Sequence, residues 1–129
     1  MRNSKSKVRC QKRRLSKCDE LVRTYSPMQY RFCELLQSDE SIKSFRCNVP
    51  LDDCELGETY TTDFVITKTD GELMIRECVY RKHLTKPLTV KLITASYDYW
   101  SRRGVMDWGL VIDSATGSGE DIAKQEVTL

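Results

Sequence analysis

YTTDFVITKTDGELMIRECVY, residues 60–80, is the stretch on which the reading of this chain turns. Two runs rich in β-branched and aromatic residues flank Asp70-Gly71, a dipeptide that favours the tight turn of a β-hairpin. One acid, Asp63, stands near the start of the first run and another, Glu77, near the end of the second. Loop length decides how they relate. A two-residue loop sets Asp63 opposite Cys78 and turns Glu77 to the other face. One extra loop residue sets Asp63 opposite Glu77, with both side chains on one face. The pattern leaves both registers open, and the acids read either as a metal site or as the wet face of a hairpin.

Upstream, SPMQYRFCELLQSD carries Ser26 as an N-cap, Pro27 at the first helical position and Gln29 three residues after the cap. That spacing predicts a capping box and a helix over 27–38, with Met28, Phe32, Leu35 and Leu36 on its apolar face. SIKSFRCNVPL alternates imperfectly and stops at Pro50, which suits an edge strand. LSKCDELVRTY, before the helix, predicts a short helix from a weak pattern.

Downstream, HLTKPLTVKLITASYDYWSRRG reads as a second helix, with Pro87 near its start and Gly104 placed to cap its end. Leu88, Leu92, Ala95 and Tyr99 form its expected apolar stripe, leaving Lys91, Asp98 and Arg102 outside. WGLVID is a nearly uninterrupted apolar strand, as interior strands are. The order helix, strand, hairpin, helix, strand predicts an α/β sandwich in one domain, with the second helix crossing over to a new strand.

The 129 residues are 40% hydrophobic and 31% charged, a globular composition, and no apolar run approaches a bilayer span. Arg2, Lys5, Lys7, Arg9, Lys12, Arg13 and Arg14 crowd the first 14 residues without an acid, and no apolar stretch follows that could serve as a secretory signal. A soluble, cytoplasmic protein without membrane contact is the expectation. Such a cluster is either a nucleic-acid-binding arm that releases counterions from phosphates or a solvated, disordered arm. Residues 113–129 reverse the polarity, with four acids and one Lys. The six cysteines have irregular spacing and no C-x-x-C pair, and His83 is the single histidine, so free thiols are expected and a zinc site is not. Cys33 and Cys78 read as small buried hydrophobes.

The stretch TTDFVITKTDGELMIRECV, residues 61–79, resembles the core of restriction-endonuclease-like nucleases of the PD-(D/E)xK superfamily, with an Asp on one strand and Glu-x-Lys on the next. More narrowly it is similar to the N-terminal nuclease domain of TnsA, the endonuclease subunit of heteromeric cut-and-paste transposases, and to small phage nucleases. YDYWSRRGVMDWGLVID and SPMQYRFCELLQSDESIKSF are similar to that family's later helix and strand and to its opening helix, so the resemblance covers residues 26–113.

The resemblance implies an α-β-β-β-α-β core, a central mixed sheet flanked by helices, over 26–113; composition and pattern add a basic arm with an expected short helix at 1–25 and an acidic, flexible tail at 114–129. It implies Mg²⁺ or Mn²⁺ held by Asp63 and Glu77, with Gln29 where the family has a helical Glu and Val79 where it has the Lys. The implied activity is metal-dependent cleavage of one strand of double-stranded DNA at transposon or phage DNA, in a bacterial or phage-infected cell, beside a transposase or another assembly protein. The two altered positions support an alternative: an inactive nuclease-fold module that binds DNA or a partner protein as an assembly or regulatory subunit.

Overall fold

A computed structural model describes residues 10–51 and 60–113, together with the strand segments Arg2–Asn3 and Gln125–Thr128. Along the chain run β1 (Arg2–Asn3), β2 (Gln11–Arg13), β3 (Val22–Thr24), α1 (Pro27–Ser38), β4 (Ile42–Pro50), β5 (Tyr60–Lys68), β6 (Leu73–Cys78), a 3₁₀ turn (Arg81–His83), α2 (Pro87–Arg102), β7 (Asp107–Ile112) and β8 (Gln125–Thr128). The result is a mixed α/β fold. Strands β4, β5, β6 and β7 lie side by side, with β8 beyond β7 and the short β1 against Tyr60 and Thr61 of β5. All neighbours are antiparallel except β6 and β7, which are parallel and joined through α2, the crossover that the apolar WGLVID strand predicts. Among the described residues no helix is long and apolar enough to cross a membrane.

Gly71 sets the register of the β5–β6 hairpin. Its φ of +89° is the left-handed conformation that glycine adopts without steric cost. Lys68 donates its N–H to Glu72 O (2.9 Å) and accepts from Gly71 N (2.9 Å), so the loop is Thr69-Asp70-Gly71, a turn closed by a left-handed third residue. Asp70 Oδ1 takes the Glu72 N–H at 2.9 Å. With three loop residues the pairs run Thr67↔Leu73 to Phe64↔Arg76, a register that would set Asp63 opposite Glu77 if it continued one step further.

Two apolar layers flank the sheet. On one face Met28, Phe32, Cys33 and Leu36 of α1 pack on Phe45, Phe64, Ile66, Cys78 and Val111; on the other Ile93 and Trp100 of α2 pack on Val65, Ile75, Val79, Trp108, Leu110 and Ile112. Strict alternation along β6 and β7 produces this division. Cys33 and Cys78 are buried, as their small apolar character predicts.

Four expectations need correction. LSKCDELVRTY forms no helix: β3 pairs antiparallel with β2, and Val22 and Thr24 point inward while Arg23 faces out, a period of two. The most buried line of α2 is Ile93, Ser96 and Trp100, next to the anticipated stripe; Leu92 and Ala95 are flanking contacts and Leu88 is 64% exposed. A serine on the buried face disguised that line. The capping box is half formed, for Ser26 Oγ accepts the Gln29 N–H (3.1 Å) while Gln29 Oε1 accepts from Tyr25 N (2.9 Å), not from Ser26. Within the anticipated tail, Gln125–Thr128 is a strand paired with β7; residues 114–124 lie outside the described residues.

Candidate functional site: the carboxylate pair

Beyond Phe64↔Arg76 the main-chain ladder between β5 and β6 gives way to side chains. Glu77 Oε1 accepts the Asp63 N–H at 2.7 Å, and Asp63 Oδ2 accepts the Cys78 N–H at 2.7 Å. Each carboxylate thus takes an amide proton from the strand opposite, where a carbonyl would otherwise stand. Both residues are 0% exposed.

Their remaining oxygens reach toward different layers. Asp63 Oδ1 accepts from Gln29 Nε2 of α1 (2.6 Å), whereas Glu77 Oε2 accepts from Ser96 Oγ of α2 (2.5 Å). The longer loop would set the two acids opposite one another on one face, yet the paired register ends at Phe64↔Arg76 and the two side chains turn toward different layers. Along β5, Thr62 Oγ1 accepts from Trp100 Nε1 of α2 (2.9 Å) and the Phe64 ring meets Phe32 of α1 at 5.0 Å. Asp63 and Phe64 both engage α1, so simple alternation fails at this point.

Further bonds extend the pair into a chain across the molecule. Gln29 Nε2 also donates to Asn48 Oδ1 (2.9 Å), and Asn48 Nδ2 donates to Arg23 O (2.7 Å). On the other side Trp108 Nε1 donates to Ser96 Oγ at 3.1 Å. The Tyr25 N–H and the Arg23 carbonyl fix which ends of the Gln29 and Asn48 amides face which neighbour. Gln29 consequently turns its NH₂, not its oxygen, toward Asp63.

Burial, and next the charge of Asp63, raise the Glu77 carboxyl from its ordinary 4.5 to about 8. A buried acid beside a second acid stays protonated into neutral pH because the charged form would lack both water and a counter-charge.

As arranged, these residues do not fit Mg²⁺ or Mn²⁺. A hard cation of this size requires several oxygens aimed at one point. Here all four carboxylate oxygens are engaged in internal hydrogen bonds, Gln29 offers a donor, and Val79, where the resemblance would place a Lys, is buried in the α2-side core. Among the described residues no group of three or more His, Cys, Asp or Glu is arranged to hold a metal ion. Arg76, the nearest strand cation, bonds Asp107 Oδ1 at 2.9 Å.

The basic arm divides. Lys12 and Arg14 are exposed, and Lys12 pairs with exposed Arg23 across β2 and β3. Arg13 is engaged, donating to Tyr30 O (3.1 Å) with its guanidinium 3.7 Å from the Tyr30 ring centre. Arg2 lies in β1, while Lys5, Lys7 and Arg9 lie outside the described residues.

Sequence reasoning missed Ser96, Asn48 and Trp108 as members of the polar chain. One signal existed for Ser96, a hydroxyl in the middle of an apolar helical face. Asn48 has a φ of +54°, a conformation that asparagine tolerates better than most residues. No protein-family model matches this chain, and no curated protein is significantly similar to it in sequence.

Proposed function

We propose that this protein is a non-cleaving module that binds duplex DNA through its phosphates, built on an α/β frame of the restriction-endonuclease-like kind. The observation that carries the reading is the enclosure of the carboxylate pair: Asp63 and Glu77 are 0% exposed, and their oxygens accept donors from β5, β6, α1 and α2. A phosphodiester would have to part the sheet from a helix to reach them. Their work in this reading is structural, joining both helical layers through the sheet.

Surface charge supports the choice of partner. Lys12 and Arg23 stand directly opposite on the outward face of a two-stranded hairpin, and Arg14 adds a third exposed cation two residues from Lys12. Like charges facing across strands repel, and a bound anion relieves that repulsion. Added to the cations of the first 14 residues, they make a footprint suited to phosphate contacts and counterion release.

The test combines two measurements. Fluorescence anisotropy with a labelled duplex is expected to give binding that weakens steeply with salt, and supercoiled plasmid incubated with Mg²⁺ or Mn²⁺ is expected to stay intact. A binding curve indifferent to salt would point to a protein partner and overturn the assignment. Nicking abolished in Asp63→Asn would favour a second reading, a metal-dependent endonuclease, for which the carboxyl raised to about 8 beside another acid is the supporting observation.

A further inference from the structure

Cys33 of α1 and Cys47 of β4 bring their sulphurs to 3.6 Å, van der Waals contact, with no disulfide between them. The two residues differ in access. Cys33 is fully buried, whereas Cys47 is half-buried and, with Cys18, lines a cavity of about 150 Å³ walled also by Val22, Phe45 and Asn48. A molecule the size of a small peroxide can occupy that cavity and meet Cys47, with Cys33 directly behind it. The sulphurs need to close by about 1.5 Å to reach the disulfide bonding distance of about 2.05 Å.

We propose that Cys33 and Cys47 form a dithiol oxidised reversibly to an intramolecular disulfide by small hydroperoxides. The hydrogen bond between the sulphurs lets the pair share one proton once it has ionised. It holds Cys33 below the usual thiol range and Cys47 above it. The ionised pair therefore rests with its proton on Cys47. When that proton passes across the 3.6 Å contact to Cys33, the Cys47 sulphur, which lines the cavity, attacks a peroxide oxygen; the O–O bond breaks and the leaving oxygen departs as alcohol or water after taking a proton from solvent. Cys47 is then a sulfenic acid. The Cys33 sulphur next displaces hydroxide from it, the S–S bond forms, and hydroxide leaves as water with the Cys33 proton. Two thiols and one hydroperoxide give one disulfide, one alcohol and one water. The pair loses two electrons and the peroxide gains them.

The location gives this chemistry a consequence. Cys33 is one helical turn beyond Gln29, and Cys47 precedes Asn48, so a bond between them ties α1 to β4 beside the amides that hold Asp63.

The experiment uses the full chain, reduced and then exposed to hydrogen peroxide, with intact-mass measurement and non-reducing peptide mapping. Expected are a loss of two hydrogens, a cross-linked peptide joining Cys33 to Cys47, and full reversal by dithiothreitol. Cys47→Ser is expected to lose the cross-link and Cys18→Ser to retain it. An unchanged mass, added oxygen without a cross-link, or a disulfide between other cysteines in the folded wild-type protein would overturn the proposal. Because the wild-type map alone decides, a variant that fails to fold leaves the test intact.

Discussion

Replacing Glu77 by Gln isolates a fully buried acid that lies beside a second acid. The wild-type carboxyl titrates near 4.5 when unfolded and is raised to about 8 in the native state, by burial and then by Asp63. The native state therefore binds this proton more tightly. Stability from the neutral form is fully present below the unfolded value and is lost as pH climbs through the native one. A displacement of that size corresponds to roughly 5 kcal/mol over the window from about pH 4.5 to 8. Glutamine is shaped like the protonated acid. Its oxygen can accept the Asp63 N–H, its NH₂ can donate to Ser96 Oγ, and it never ionises. Urea titrations at several pH values, followed by the fluorescence of buried Trp100 and Trp108, give both stabilities. The variant is expected to be within about 1 kcal/mol of wild type near pH 4.5, since one neutral hydrogen-bonding group replaces another. Its advantage should then grow by several kcal/mol toward pH 8.5. Two curves that stay parallel across that range would refute the reasoning, because they would mean that Glu77 ionises as easily in the native protein as in the unfolded chain.

Ser96→Ala removes the hydroxyl that hydrogen-bonds Glu77 Oε2 and accepts from Trp108 Nε1, and a loss of about 2–4 kcal/mol is expected in the same urea titrations at pH 7. Gln29→Glu sets an acid where an NH₂ now donates to Asp63 at 2.6 Å, so a lowered melting temperature at neutral pH is expected, with no recovery on adding millimolar Mg²⁺. Recovery specific to the divalent ion would show that oxygens here can converge on a metal after all. Lys12→Ala and Arg23→Ala should each weaken duplex binding about equally for all sequences and lower the salt slope by about one ion, read by anisotropy across a salt series. A slope unchanged in both variants would remove the hairpin from the DNA-contacting surface.

Elements governed by local chemistry were legible in the chain. Ser26 and Pro27 mark the start of α1, Asp70-Gly71 marks the hairpin, and uninterrupted WGLVID marks a strand with neighbours on both sides. Each is specified by residues within a few positions of one another. The helix expected before α1 failed for a complementary reason: residues 15–25 have weak periodicity of either kind, and pairing with β2 supplied the hydrogen bonds that local propensity did not decide.

The sequence by itself determined that two acids sit in facing strands of one hairpin and that apolar helices cover a mixed sheet. Tertiary structure alone decided what those acids do. The left-handed Gly71 chose the register, and the partners then chose the directions: Gln29 draws the carboxylate of Asp63 toward α1, and Ser96 draws that of Glu77 toward α2. Those donors lie 34 and 19 positions away from the acids they bind. Residue type and strand period fix where a side chain begins; burial, which forces every polar atom to find a partner, fixes where it ends.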